Sequence, residues 1–203
     1  MEFTKYPADT FSSLVIGAGV LLTDFDPVSA TLSGSDILGA TTGGIAFSAV
    51  PKWKDFGEDI DNVPKNTMEL KRIQEWEARM SGTLIAVNAA AGRLLAAAAD
   101  LNAGTGKITP RGTVKAGLSG SDFRDLWLVA DYSDKNDTAQ GASPAKAGYV
   151  AIRMMNALST GGFRLQTADR DKGKFEFEFT AHYGSGAQDT VPFEVYIKPG
   201  TGE

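Results

Sequence analysis

Lys174–Tyr183 reads KFEFEFTAHY. Phe175, Phe177, Phe179, Ala181 and Tyr183 fall on one side of this stretch. Lys174, Glu176, Glu178, Thr180 and His182 fall on the other. A period of two held over ten residues specifies a strand with one buried and one wet face. After a short link, Gly184–Thr190, the pattern resumes. Val191, Phe193, Val195 and Ile197 alternate with Pro192, Glu194, Tyr196 and Lys198. This predicts a second strand that closes a hairpin on the same core.

Working outward, the rest of the chain is also strand-like. Tyr149–Leu158 and Asp122–Tyr132 read as strands, separated by the polar stretch Ser133–Pro144. Ser12–Thr23 (SSLVIGAGVLLT) reads as a strand bulged at Gly17 and Gly19, with a buried helix as the alternative. DFDP at Asp24–Pro27 ends it. In TTGGIAFSAV (Thr41–Val50), Ile45 and Phe47 alternate with Ala46 and Ser48, and Pro51 is expected to stop the strand. Lys52–Lys65 (KWKDFGEDIDNVPK) reads as a charged loop, longer than an ordinary hairpin turn. Two strands are expected at Met68–Trp76 and Arg79–Val87. Asn88 then suits the N-cap of AAAGRLLAAAADL. Its apolar stripe is Ala91, Leu94, Leu95, Ala98 and Leu101, with Arg93 and Asp100 on another face and Gly104 at the C-terminal cap position. Asn102–Lys115 reads as a loop. The predicted class is mainly β: a sandwich or barrel subunit with one packed helix, about residues 89–102, and one long inter-strand loop. A single domain over residues 1–203 is expected, with an N-terminal arm at 1–10, the extended loop at 52–65 and a C-terminal tail at 199–203.

Composition narrows the function. Net charge is −5, whereas a protein that grips nucleic acid without sequence preference is normally basic. The absence of cysteine excludes disulfides and thiolate chemistry. The N-terminal stretch has no basic region followed by an apolar one, so no signal peptide is expected. No apolar run reaches the roughly 20 residues that span a bilayer, and synthesis in a cytoplasm is expected.

Candidate chemistry fails on spacing. His182 is the single histidine, on the polar side of its strand, where a solvated or interface role outweighs a triad. GLSGS at Gly117–Ser121 lacks the last glycine of a nucleophile elbow. GTGKIT at Gly104–Thr109 lacks the first glycine and the final hydroxyl of a phosphate-binding loop. Gly17-Ala18-Gly19 opens no helix. The Asp131–Asp137 run lacks the glycine and glutamate of a calcium loop. Glu58, Asp59 and Asp61 read as a solvated loop, not a metal cage. No catalytic residue, metal or cofactor is therefore assigned. Trp76 and Trp127 read as core. Trp53, between two lysines with Phe56 nearby, is either an interface anchor or packed beneath its loop.

The block LGATTGGIAFSAVPKWKDFGEDIDNVPKNTMELKRIQEWEARMSGTLIAVNAAAGRLLAAA (Leu38–Ala98) has a distinctive order. A Gly/Thr strand leads to a charged loop, a strand pair ending in SGTL, and a helix. MMNAL, STGGF and the Phe-rich strand follow. This pattern resembles the major tail tube proteins of long-tailed bacteriophages and prophages, over about Leu14 to Tyr183. The resemblance implies a virion structural protein that self-assembles into hexameric rings, which stack into the tail tube. The lumen of such a tube is lined by strands of all six subunits and carries DNA to the host without binding it. It further implies tape-measure, tail terminator and distal tail proteins as partners, and no membrane. The loop is expected to contact the next ring through Trp53, Lys54, Asp55, Phe56, Glu58, Asp59 and Asp61. Thr42, Gly44, Ala46 and Ser48 are candidates to face the lumen, with Glu176 and Glu178 as the alternative. A tube of a related contractile injection or secretion system, or a monomeric β-sandwich adhesin domain, are the other readings.

Overall fold

The computed structural model describes residues 14–30, 32–112, 117–118, 120–132 and 148–198. The expected arm at 1–10, the tail at 199–203 and most of the Asp131–Asp137 run lie outside these. Within them the chain is mainly β, with a large antiparallel sheet and one α-helix. In chain order the elements are β1 (Val15–Leu22), β2 (Thr41–Asp55), β3 (Lys71–Leu84), α1 (Ala89–Leu95), β4 (Ala99–Asn102), β5 (Lys107–Pro110), β6 (Arg124–Tyr132), β7 (Tyr149–Ser159), β8 (Arg164–Gln166), β9 (Lys174–Thr180) and β10 (Phe193–Lys198). Eight strands form one sheet in the order β1-β6-β7-β9-β3-β2, with β10 on β7 and β8 on β9. β4 and β5 form a separate hairpin.

The sheet folds over on itself because its two ends share one core. Leu21 of β1 and Met80 of β3 join the same buried cluster, against which Phe47 of β2 packs. Phe177 and Phe179 are 3% and 1% exposed within it, as the alternation in β9 predicts. Each such ring contributes roughly 1.5–3 kcal/mol by leaving water. The opposite face of β1-β6-β7 carries a second cluster of Trp127, Val129, Tyr149 and Ala151. Phe25, just after β1, covers it, edge-on to Trp127 and Tyr149 at ring separations of 5.5 Å. The β1 bulge falls between Ile16 and Val20, with Gly17 and Gly19 at φ +97° and +71°, a backbone that glycine adopts without strain.

Five local expectations are corrected. Pro51 does not end its strand: β2 continues to Asp55, because it is the edge strand and the missing N–H faces no partner. The loop thus begins four residues later than Lys52, and its two flanks form a long two-stranded arm. The two strands expected at Met68–Trp76 and Arg79–Val87 are one, β3 (Lys71–Leu84), entered through a short 3₁₀ turn at Met68–Leu70. The helix ends at Leu95, short of residue 102. Ala97 turns left-handed at φ +58°, and Ala99–Asn102 pairs with Lys107–Pro110, so tertiary hydrogen bonding overrides a run of good helix formers. The expected loop from Asn102 therefore contains a strand, and Gly104 sits in its turn, where Asn102 Oδ1 accepts from the Gly104 and Thr105 amides. Finally, β10 pairs with β7, in place of a hairpin with β9, and Val195 and Ile197 stay 48% and 66% exposed.

Candidate assembly surfaces

The arm is built by the mismatch between β3 and its two neighbours. β9 pairs with β3 only over Arg79–Leu84, whereas β2 follows β3 out to Lys71. Beyond Arg79 two strands run on alone, and isolated hairpins are marginal in water. A bulge at Lys52/Trp53 keeps Pro51, Trp53, Trp76 and Ile73 on the core-facing side. Trp76 anchors this stripe edge-on to Phe193 at 5.4 Å, and its backbone N–H donates to the Tyr183 hydroxyl. Further out the stripe loses its cover. Trp53 is 53% exposed and Ile73 47%, and at the tip Phe56 and Met68 reach 59% and 80%.

The tip is nevertheless ordered by local bonds. Asp55 accepts the Gly57 amide through one carboxylate oxygen and the Asn66 amide through the other, both at 2.9 Å. These two N–H groups hold its carboxyl below the usual carboxylate range. Asn62 and Asn66 take positive φ, which asparagine tolerates better than most residues. The expected loop residues thus divide. Trp53, Lys54 and Asp55 lie in the strand, with Asp55 stapling the turn. Phe56, Glu58, Asp59 and Asp61 sit exposed at the tip.

The second surface is the side of β9-β3-β2 turned away from the core. Ala46, Ser81 and Glu178 stand in register across the three strands, as do Thr42, Thr83 and Glu176. The two alternative candidate sets, Thr42/Ala46/Ser48 and Glu176/Glu178, therefore share one face. Gly44 differs: with φ +83° it sits in a bulge between Thr42 and Ile45 and is half-buried. Three cations here are paired. Lys52 meets Glu75 at 2.6 Å, Arg79 meets Glu77 and Glu178, and Arg164 lies 3.8 Å from Glu176. Hydrogen bonding from Arg79 lowers the Glu77 carboxyl.

At the opposite end of the β2/β3 hairpin, α1 is locked to the β4/β5 hairpin by charge. Asn88 caps α1 through the Ala91 amide, as its position predicts. Arg93, expected on a face other than the apolar stripe, turns inward. It donates to the Ala99 and Ser121 carbonyls and to Asp122, whose side chain is fully buried. Arg111 binds the other Asp122 oxygen at 2.7 Å and also Asp100, whose carboxyl this hydrogen bond lowers. Sequence periodicity missed this clamp because its acid lies 29 residues from Arg93. Beside it opens a groove of about 730 Å³, with Ile37, Leu94 and Leu101 among its apolar walls and Asp24 and Arg124 at its polar ones. Arg124 is exposed and has no ion pair among the described residues.

No group of three or more His, Cys, Asp or Glu among the described residues could hold a metal. His182 lies beyond the end of β9, edge-on to Phe123 at 5.4 Å with Nδ1 3.2 Å from the Asn156 carbonyl oxygen. No helix among them is long and apolar enough to cross a membrane. No family model matches the chain, and the search of curated proteins yields no significant match.

Proposed function

We propose that the chain is the repeating subunit of a bacteriophage tail tube, a structural protein of the virion whose work is assembly and not catalysis. The observation that carries this reading is the arm. A two-stranded projection with exposed Trp53, Phe56, Met68 and Ile73 leaves apolar surface that a monomer has no use for. Its tip is held in shape by Asp55 before any partner arrives, which lowers the ordering cost of association. The polar face of β9-β3-β2 suits a lumen. Lys52, Arg79 and Arg164 are already paired with carboxylates there, which leaves fewer cations to neutralise phosphates, and DNA slides past without sticking. In this reading the partners are copies of the chain in stacked hexameric rings, with tape-measure, terminator and distal tail proteins at the ends.

Negative-stain microscopy of the concentrated protein tests the proposal. Rings or tubes are expected. Deletion of Glu58–Val63 is expected to leave a folded subunit that does not extend into tubes. A wild-type protein that remains monomeric at every concentration, even with tail partners added, refutes it.

A further inference from the structure

We infer that the acidic tip of the arm docks into the groove beside α1 of a second copy, making the contact head-to-tail. The inference rests on the tail-tube reading and identifies the surface that receives the arm. Three observations carry it.

The first is placement. The groove adjoins the start of β2: Leu38 precedes Thr41 closely, and the Ile85 amide donates to the Ala40 carbonyl. The tip follows the far end of β2. Fifteen residues at about 3.3 Å each put roughly 45 Å between them, so no copy reaches its own groove. Two different surfaces at opposite ends of one chain give a heterologous contact, which propagates along the strand direction.

The second is charge. Residues 56–63 carry Glu58, Asp59 and Asp61 and no lysine or arginine. None of the three has an ion pair among the described residues. In the groove, Arg93 and Arg111 are committed to Asp122 and Asp100. Arg124 is the lining cation with no ion pair among the described residues, and it receives the tip carboxylates, with Asp24 the acid that shares the groove. The third is apolar fit. Phe56 and Ile60 of the tip are 59% and 48% exposed, and Ile37, Leu94 and Leu101 offer walls to cover them.

The chain has no cysteine, so crosslinking is clean. Single variants Ile60→Cys and Leu101→Cys are mixed, allowed to assemble and oxidised. A disulfide between chains is expected only for the mixture, because the two Cα atoms must come within about 7 Å. Arg124→Glu is expected to lower the crosslinked yield at least tenfold. Combining it with Glu58→Lys, Asp59→Lys and Asp61→Lys in the other variant is expected to restore it. Tubes that form without this crosslink, or in which Ile60→Cys joins Ile197→Cys on β10, overturn the inference and leave the tube reading standing. A wild-type chain that never assembles removes the tube reading and the docking with it.

Discussion

Trp53→Ala separates assembly from folding. Trp53 keeps 53% of its surface in the monomer. An indole side chain presents up to roughly 250 Å², so about 130 Å² is available to a neighbouring subunit. At about 25 cal/mol per Å², full burial of that area contributes about 3 kcal/mol, and partial burial at a rim about half as much. Since 1.4 kcal/mol is tenfold in an equilibrium constant, truncation raises the critical concentration for assembly about ten- to hundredfold. The monomer loses little, because Trp53 is not part of either buried cluster. The assay is sedimentation of assembled material across a concentration series, with chemical denaturation of the monomer alongside. An unchanged critical concentration refutes the reasoning. So does a variant that unfolds at markedly lower denaturant, since the ring would then be holding its own subunit together.

Leu95→Ala gives the opposite signature: the side chain is fully buried beneath α1, so stability falls by about 2–5 kcal/mol by denaturation. Gly39→Ala is also a folding defect, because the new Cβ would stand 2.3 Å from the Ala86 carbonyl oxygen, and backbone must move to admit it; a lower melting temperature checks it. Acid acts on the tip of the arm through Asp55. Its folded pKa is depressed, so the loop stabilisation it provides is present above the ordinary carboxylate value near 4 and is lost as pH falls through the lower, folded value. Hydrogen exchange at Gly57 and Asn66 is expected to lose protection across that window, and Asp55→Ala is expected to remove it at neutral pH. Asp122→Ala leaves Arg93 and Arg111 without their shared acid, and faster exchange in the β4/β5 hairpin checks whether the clamp holds it to α1.

The sequence by itself determined the strands whose two sides differ in chemistry. Phe177 and Phe179 point into the core and Glu176 and Glu178 away from it because a period of two admits one arrangement when one side is buried. The cap at Asn88 and the β1 bulge at Gly17 and Gly19 were legible for the same local reason: each depends on one residue's own backbone or side chain. Tertiary structure decided the rest. Pro51 is tolerated because β2 is an edge, a property of sheet order and not of the residue. The alanine run after Leu95 leaves the helix because Ala99–Asn102 finds strand partners and Arg93 finds the distant Asp122. Val195 and Ile197 alternate as core residues do, yet remain exposed on β10, which pairs with β7 and not with β9. The arm belongs to both levels. Its charged, aromatic composition is written in Lys52–Lys65, but its reach exists only because β9 stops pairing at Arg79 while β2 does not.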